Sequence, residues 1–185
     1  MRTRREFLGD AACAGAAGLL PLQVAAPAGV EVNDMQSQLN ATVVRKVVKP
    51  TSIGELQAAI RAAERAGEFV CVAGGRHAMG GQQFGRDAVL LDTTKFNRVL
   101  KLDGEKGLVE VEAGIEWPEL LAELHRLQRA SEKPWGIREK QTGVDRVSLG
   151  GSLASNVHGR GLRFPPIIHD VESFTLVDAK GEVRV

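Results

Sequence analysis

The chain has 185 residues, 43 % hydrophobic and 25 % charged, with a formal net charge of +1. That is enough length for one domain or two small lobes around a real core, and the composition excludes a disordered or fibrous chain. The charge balance gives no reason to expect nucleic acid as a partner. Against 4 % aromatics and no tyrosine, the 21 glycines mark backbone that turns tightly or approaches something closely.

Residues 1–28 are set aside as a targeting segment. Thr3-Arg4-Arg5-Glu6-Phe7-Leu8 is followed by an apolar Ala/Gly stretch and then Val24-Ala25-Ala26-Pro27-Ala28. A basic start, an apolar middle and a small-residue end are the parts of a secretory signal. The paired arginines before Phe-Leu resemble the twin-arginine export signal. Cleavage is expected after Ala26 or Ala28, giving a periplasmic or secreted protein with the twin-arginine export machinery as a partner. The other reading is a membrane anchor, but Pro21 and Gln23 leave the segment marginal for the ~20 apolar residues a span needs. Removal of residues 1–28 takes Cys13 and leaves Cys71 without an intrachain disulfide partner.

Residues 29–41 read as a polar lead-in. Val43-Val44 and Val47-Val48 predict a strand ending at Pro50. Ser52-x-x-Glu55 is a capping box for a helix whose inner face carries Ile53, Leu56, Ile60 and Ala63, with Gly67 as its stop. Residues 69–73, Phe-Val-Cys-Val-Ala, form a continuously apolar run typical of a buried strand. The run empties into Gly74-Gly75-Arg76-His77-Ala78-Met79-Gly80-Gly81-Gln82. Residues 89–91 are strand-like, and residues 99–102 and 108–111 predict a hairpin turning at residues 103–107. Pro118 suits the first position of a second helix, with Trp117, Leu120, Leu121, Leu124 and Leu127 as its buried stripe. Composition shifts after Arg129, so residues 42–138 are expected to form a first lobe and residues 139–185 a second.

The second lobe opens with Val147-Ser148-Leu149-Gly150-Gly151-Ser152-Leu153-Ala154-Ser155-Asn156-Val157-His158-Gly159. Pro165-Pro166 then makes a turn, and residues 173–177 and 182–185 read as strands about a turn at Asp178-Ala179-Lys180-Gly181. The last strand is still alternating at Val185, so the chain is expected to be a truncated product or fragment.

A strand that feeds a glycine-rich loop gathers backbone N–H groups around an anion. Neither loop carries Gly-x-Gly-x-x-Gly or Gly-Lys-Ser/Thr, which argues against a Rossmann dinucleotide site and a P-loop. By themselves the two segments leave two readings, an anion or nucleotide cradle and plain turns.

The strand, capping box, helix, apolar strand and loop at residues 74–82 resemble the vanillyl-alcohol-oxidase (PCMH-type) FAD-binding flavoproteins. The loop is similar to the Gly-x-x-His-Ser-x-x-Gly-Gln of cytokinin dehydrogenases, falling on Gly74, His77, Ala78, Gly81 and Gln82. Residues 147–159 resemble the second segment of aldonolactone and alditol oxidases, and residues 170–181 the strand and turn after it. The resemblance implies an α+β fold, a PCMH-type FAD-binding domain of two α/β lobes with the second incomplete. It implies FAD as cofactor, contacted by Gly74, Gly75, Arg76, His77, Ala78, Met79, Gly80, Gly81, Gln82, Ser148, Gly150, Gly151, Ser152, Ser155, Asn156, His158 and Gly159. In many members the loop histidine is bonded covalently to the flavin, so His77 is either an attachment point or a pocket-lining residue. Ala78, where serine usually follows, cannot donate a hydroxyl. Arg76 pairs a phosphate or is a solvated loop charge, and His158 contacts the cofactor or is structural. For Ser148, Ser152, Ser155 and Asn156 the choice is between donation to flavin or pyrophosphate and turn chemistry. No metal site is expected.

By the same resemblance, the function is that of an exported FAD-dependent oxidoreductase. It would oxidise a C–H bond adjacent to oxygen or nitrogen in a small-molecule substrate, with oxygen, a quinone or a redox protein as electron acceptor. The alternative is a truncated flavin-binding remnant without turnover. No catalytic acid or base is assigned. A cell-wall precursor reductase of the same fold would need cytoplasmic substrates, which export argues against.

Overall fold

A computed structural model of the chain describes residues 29–141 and 143–185. The expected export signal and its cleavage positions lie outside the described residues. Two short strands, β1 (Val30–Val32) and β2 (Thr42–Val44), pair antiparallel. One residue further on, β3 (Lys46–Val48) belongs to a different sheet. The single strand expected over residues 43–50 is therefore two. The break falls at Arg45, whose N–H donates to the Ala88 carbonyl at 2.9 Å and hands the chain to a new partner.

Helix α1 (Ile53–Arg65) starts as its capping box predicts, with Ser52 Oγ accepting from the Glu55 N–H. The Glu55 carboxylate reaches back one residue further than the box requires, accepting from the N–H and hydroxyl of Thr51. Ile60 and Ala63 are buried, whereas Ile53, at the first helical position, is exposed. Past the helix, Gly67 takes φ +64°, the left-handed conformation that stops helices without strain.

Strands β4 (Val70–Ala73) and β5 (Val89–Asp92) join β3 in a parallel sheet of order β3-β5-β4. The central strand is β5, and all of its residues are buried. Leu90 packs with Val32 and Val44 of the β1–β2 ribbon, while Val89 and Leu91 pack on Ile60 and Ala63 of α1. The sheet is thus the middle of three layers. The apolar run at residues 69–73 was expected to be the buried strand, but it lies at the sheet edge. Phe69 is 83 % and Val72 56 % exposed, because β5 has inserted between β4 and β3.

The hairpin β6 (Val99–Asp103) and β7 (Leu108–Val111) forms where predicted, with a register shift between Val99 and Lys101. Its turn is built by the Asp103 carboxylate, which accepts from the N–H groups of Glu105 and Lys106, and by Gly107 at φ +67°. The hairpin packs beneath α2 (Trp117–Leu127), where Trp117, Leu120 and Leu124 are buried with Ile115. Leu127, expected in that stripe, is exposed at the last turn. Ile137, Leu149 and Ile167 close the same cluster.

The second glycine segment folds into the short helix α3 (Leu149–Ala154), capped by Ser148. Of the strand expected over residues 173–177, only β8 (Leu176–Val177) pairs, antiparallel to β9 (Val183–Arg184). Between them, Gly181 at φ +72° gives its carbonyl to Gln57 Nε2 at 2.7 Å, tying the hairpin to α1.

Candidate cofactor site

The loop of residues 74–82 leaves the C-terminal end of β4, and the adjacent β5 ends in a 3₁₀ turn, Thr93–Lys95. In open parallel sheets, ligands sit outside the carboxyl ends of the strands. The backbone meets there with no room for side chains. A Cβ at Gly74 would overlap Ser148 Oγ and come within 2.8 Å of Ser148 Cβ; one at Gly75 would overlap the Arg146 carbonyl and lie 3.2 Å from Glu116 Oε1. The two glycine segments, 70 and more residues apart in sequence, are therefore in direct contact at their first residues.

A third segment, the β7–α2 connection, is clamped between the 3₁₀ turn and α3. The N–H groups of Leu149 and Gly150 donate to the carbonyls of Ile115 and Ala113 at 2.9 and 2.7 Å. Gly114 is forced by this closeness, since a Cβ there would overlap the Thr93 carbonyl oxygen and lie 2.8 Å from that of Phe96. Thr93 Oγ1 in turn donates to the Ala73 carbonyl at 3.2 Å, tying the turn to the end of β4.

Within the loop, Arg76 takes φ +57°, a strained conformation for a side chain with a Cβ. Its guanidinium donates to Asp92 Oδ2 at 2.9 Å, and Lys49 Nζ stands 3.6 Å from the same oxygen. Arg76 is thus ion-paired and not a solvated loop charge. Burial pushes the Asp92 carboxyl up, but the Thr94 hydroxyl and N–H, together with Arg76 and Lys49, outweigh it. They hold the group below the usual carboxylate range.

The outer half of the loop is held from the lead-in, which the sequence marks only as polar. Asp34 is fully buried, and its Oδ1 accepts from the N–H groups of Gln36, Ser37 and Gln38. Its Oδ2 accepts from Ser37 Oγ and Asn40 Nδ2 at 2.9 and 2.8 Å. Burial raises this carboxyl, yet the donated hydrogen bonds outweigh that and hold it far below the carboxylate range. From this clasp the Met35 N–H donates to the Arg76 carbonyl and Asn40 Nδ2 to the Met79 carbonyl, at 2.8 and 2.7 Å. The only local signal was the short polar run Asn33-Asp34-x-x-Ser37, whose side chains favour Asx turns.

Two buried polar atoms in the two glycine segments, His77 Nδ1 and Ser152 Oγ, have no hydrogen-bond partner among the described residues. Ser152 is fully buried one turn into α3, whose N-terminal end meets the loop through Ser148. Gly74, Gly75, His77, Ser148, Gly150 and Ser152 belong to this convergence. Ala78, Met79, Gly80 and Gln82 form the exposed outer turn, with Gly81 at φ +72°. Gly151 donates its N–H to Ser148 Oγ. Ser155, Asn156 and His158 follow on the exposed side. Asn156 Oδ1 accepts from the Ile168 N–H at 3.4 Å, and His158 Nδ1 lies 2.8 Å from the Gly159 carbonyl oxygen. Gly159 itself packs on Glu139.

Converging glycine backbones and two unpartnered buried polar atoms suit the binding of a polar, extended cofactor. The chain belongs to the FAD binding domain family, whose model matches residues 44–185, and FAD is the group these residues fit. It is 36 % identical over 137 residues to the L-gulono-1,4-lactone dehydrogenase of Mycobacterium tuberculosis, covering 74 % of this chain and 30 % of that protein. It is 34 % identical to the L-gulonolactone oxidase of Mus musculus, covering 73 % and 29 %. The chain thus spans about 30 % of the length of these curated relatives. Among solved structures, the grass pollen allergen Phl p 4, which has glucose dehydrogenase activity, superposes with TM-score 0.63 at 21 % identity. That match covers 86 % of this chain and 30 % of that one. An alkyldihydroxyacetonephosphate synthase gives TM-score 0.63 at 24 % identity, covering 77 % and 25 %. These likenesses show the mixed α+β fold of the PCMH-type FAD-binding domain.

Proposed function

We propose that this chain forms the FAD-binding part of an exported oxidoreductase that oxidises a C–H bond next to oxygen in a sugar lactone. The observation that carries the reading is the direct contact of the two glycine segments at Gly74 and Ser148. The names of the lactone dehydrogenase and oxidase relatives support the substrate class. FAD, when bound, would supply the hydride-accepting redox chemistry, with oxygen, a quinone or a redox protein as the final electron acceptor. The chain's own residues bind and orient. Loop N–H groups and the start of α3 would hold the cofactor, and Ser152 Oγ would offer it a buried hydroxyl. His77 would hold the cofactor covalently: an imidazole nitrogen would bond to a ring-methyl carbon of the flavin, the N–H and one methyl C–H would be lost as protons, and the two electrons released would leave through the flavin to the same acceptors. Its Nδ1 is buried and without a hydrogen-bond partner among the described residues, which supports that role. Export rests on the arginine pair at Arg4-Arg5 and the small-residue stretch ending at Ala28.

The test is purification of the exported protein with FAD, followed by assay with L-gulono-1,4-lactone and a dye acceptor. Lactone-dependent dye reduction is expected. Retained FAD without turnover would leave a flavin-binding unit, and absence of FAD would overturn the site. Acid precipitation and gel fluorescence read the His77 bond: flavin that washes away ends the covalent attachment. The mature N-terminus, read by mass spectrometry, should fall after Ala26 or Ala28.

A further inference from the structure

We propose that Asn40 is a positioning residue for the cofactor loop, the lead-in clasp acting through it to set the backbone on both sides of His77. The proposal rests on the reading that residues 74–82 hold FAD. Both hydrogens of one amide are committed. Asn40 Nδ2 donates to Asp34 Oδ2 at 2.8 Å and to the Met79 carbonyl at 2.7 Å, with Ser37 Oγ further away at 3.4 Å. The anchor is rigid because Asp34 is fully buried and accepts from backbone N–H groups and side chains of the same short loop. A second thread runs from the same loop, the Met35 N–H donating to the Arg76 carbonyl at 2.8 Å. The carbonyls held are those of residues 76 and 79, so His77 lies between two fixed points.

The loop needs such holding. Arg76 sits at φ +57°, which a non-glycine residue adopts only where its surroundings impose it. Ala78 and Met79 are exposed and contribute no core packing. Asn40 also lies directly beneath Gly81, where a Cβ would come within 3.1 Å of Asn40 Cβ, so the loop backbone is seated on this side chain. Ser37 provides the internal comparison. It donates to the same Asp34 oxygen at 2.9 Å, but no hydrogen bond joins it to the loop.

The test compares the wild-type chain, Asn40→Ala and Ser37→Ala for apo melting temperature, FAD dissociation constant and visible circular dichroism of the bound flavin. Both variants should lower the apo melting temperature, Asn40→Ala the more, since each removes a hydrogen bond to Asp34 and Asn40→Ala also the one to the Met79 carbonyl. Only Asn40→Ala should weaken FAD, by about five- to tenfold, the effect of one lost hydrogen bond to the loop, and change the flavin dichroism. Equal FAD affinity and unchanged dichroism in Asn40→Ala would overturn the proposal, as would equal losses in the two variants. Asn40→Ser keeps a short donor near Asp34 but cannot span to Met79, and it should reproduce the FAD loss if Asn40→Ala does not fold. If both Asn40 variants unfold while Ser37→Ala folds, the role is structural and the proposal falls. Failure of the wild-type chain to bind FAD appears without any substitution and overturns the cofactor reading itself.

Discussion

Gly74→Ala probes the junction of the two glycine segments with a single methyl group. The added Cβ would overlap Ser148 Oγ, lie 2.8 Å from Ser148 Cβ and 3.7 Å from Thr93 Oγ1. Rotation of the hydroxyl away would relieve the first contact but would sacrifice the α3 cap, in which Ser148 Oγ accepts from the Gly151 N–H. Loss of such a cap costs about 1 kcal/mol. The second contact remains roughly 1 Å inside the ordinary separation of carbon atoms, and relieving it shifts α3 against the loop for about 1–3 kcal/mol more. A total of about 2–4 kcal/mol lowers the melting temperature by roughly 5–15 °C for a chain of this size. The assay is thermal unfolding by circular dichroism, with FAD binding measured in parallel. Two companions make it diagnostic. Gly80→Ala meets only the far end of the exposed Gln82 side chain and should melt within about 1 °C of wild type. Ser148→Gly removes the obstructing atoms, so the double variant should recover most of the loss, a coupling of about 1 kcal/mol or more. A Gly74→Ala chain that melts like wild type and binds FAD equally would refute the close approach.

Asp92 is a depressed carboxyl, so its ion pair contributes stability above the unfolded pKa of about 4 and loses it as pH falls through the lower folded value. Asp92→Asn should therefore cost about 1.5–3 kcal/mol at pH 7 in urea unfolding, with the gap to wild type narrowing as pH falls below the unfolded value; a gap independent of pH would count against the pair. Leu120→Ala, at a position 1 % exposed in the α2 cluster, should lose roughly 2–5 kcal/mol in the same assay. Burial pushes the half-buried Cys71 thiol above its ordinary value of 9.0, so alkylation by iodoacetamide at pH 8 should run at least about tenfold faster in denaturant than in the folded chain.

Much of the first half of the fold was legible because it is written in local chemistry. The Ser52 cap, the left-handed Gly67 and the Asp103–Gly107 turn each depend on residues within a few positions of one another, and each forms where those residues stand. Strand burial was misjudged for a physical reason. Apolar content says that residues 69–73 suit a sheet but not where in the sheet they lie, and pairing order depends on β5, 19 residues away along the Val70↔Val89 register. The same ignorance merged β2 and β3. Their valines read as one run, and contacts with residues 87 and 88 separate them: the Arg45 N–H donates to the Ala88 carbonyl and the Asp87 N–H to the Val43 carbonyl.

The candidate site divides along the same line. Glycine is a residue choice that registers an absence, so Gly74, Gly75 and Gly150 announce close approach without naming the neighbour. Structure supplies Ser148, Arg146 and Ala113 as the neighbours. Polar residues carry no such mark. Asn40 would serve equally in a solvated loop, and nothing in its surroundings points to the Met79 carbonyl 39 residues ahead. What discriminates is stoichiometry at Asp34. A fully buried carboxylate demands donors for both oxygens, and the short loop of residues 34–40 can supply them only by closing on itself, which turns the remaining Asn40 hydrogen outward. Once the lead-in is closed in this way, that donor and the neighbouring Met35 N–H reach the Met79 and Arg76 carbonyls of the loop that carries His77.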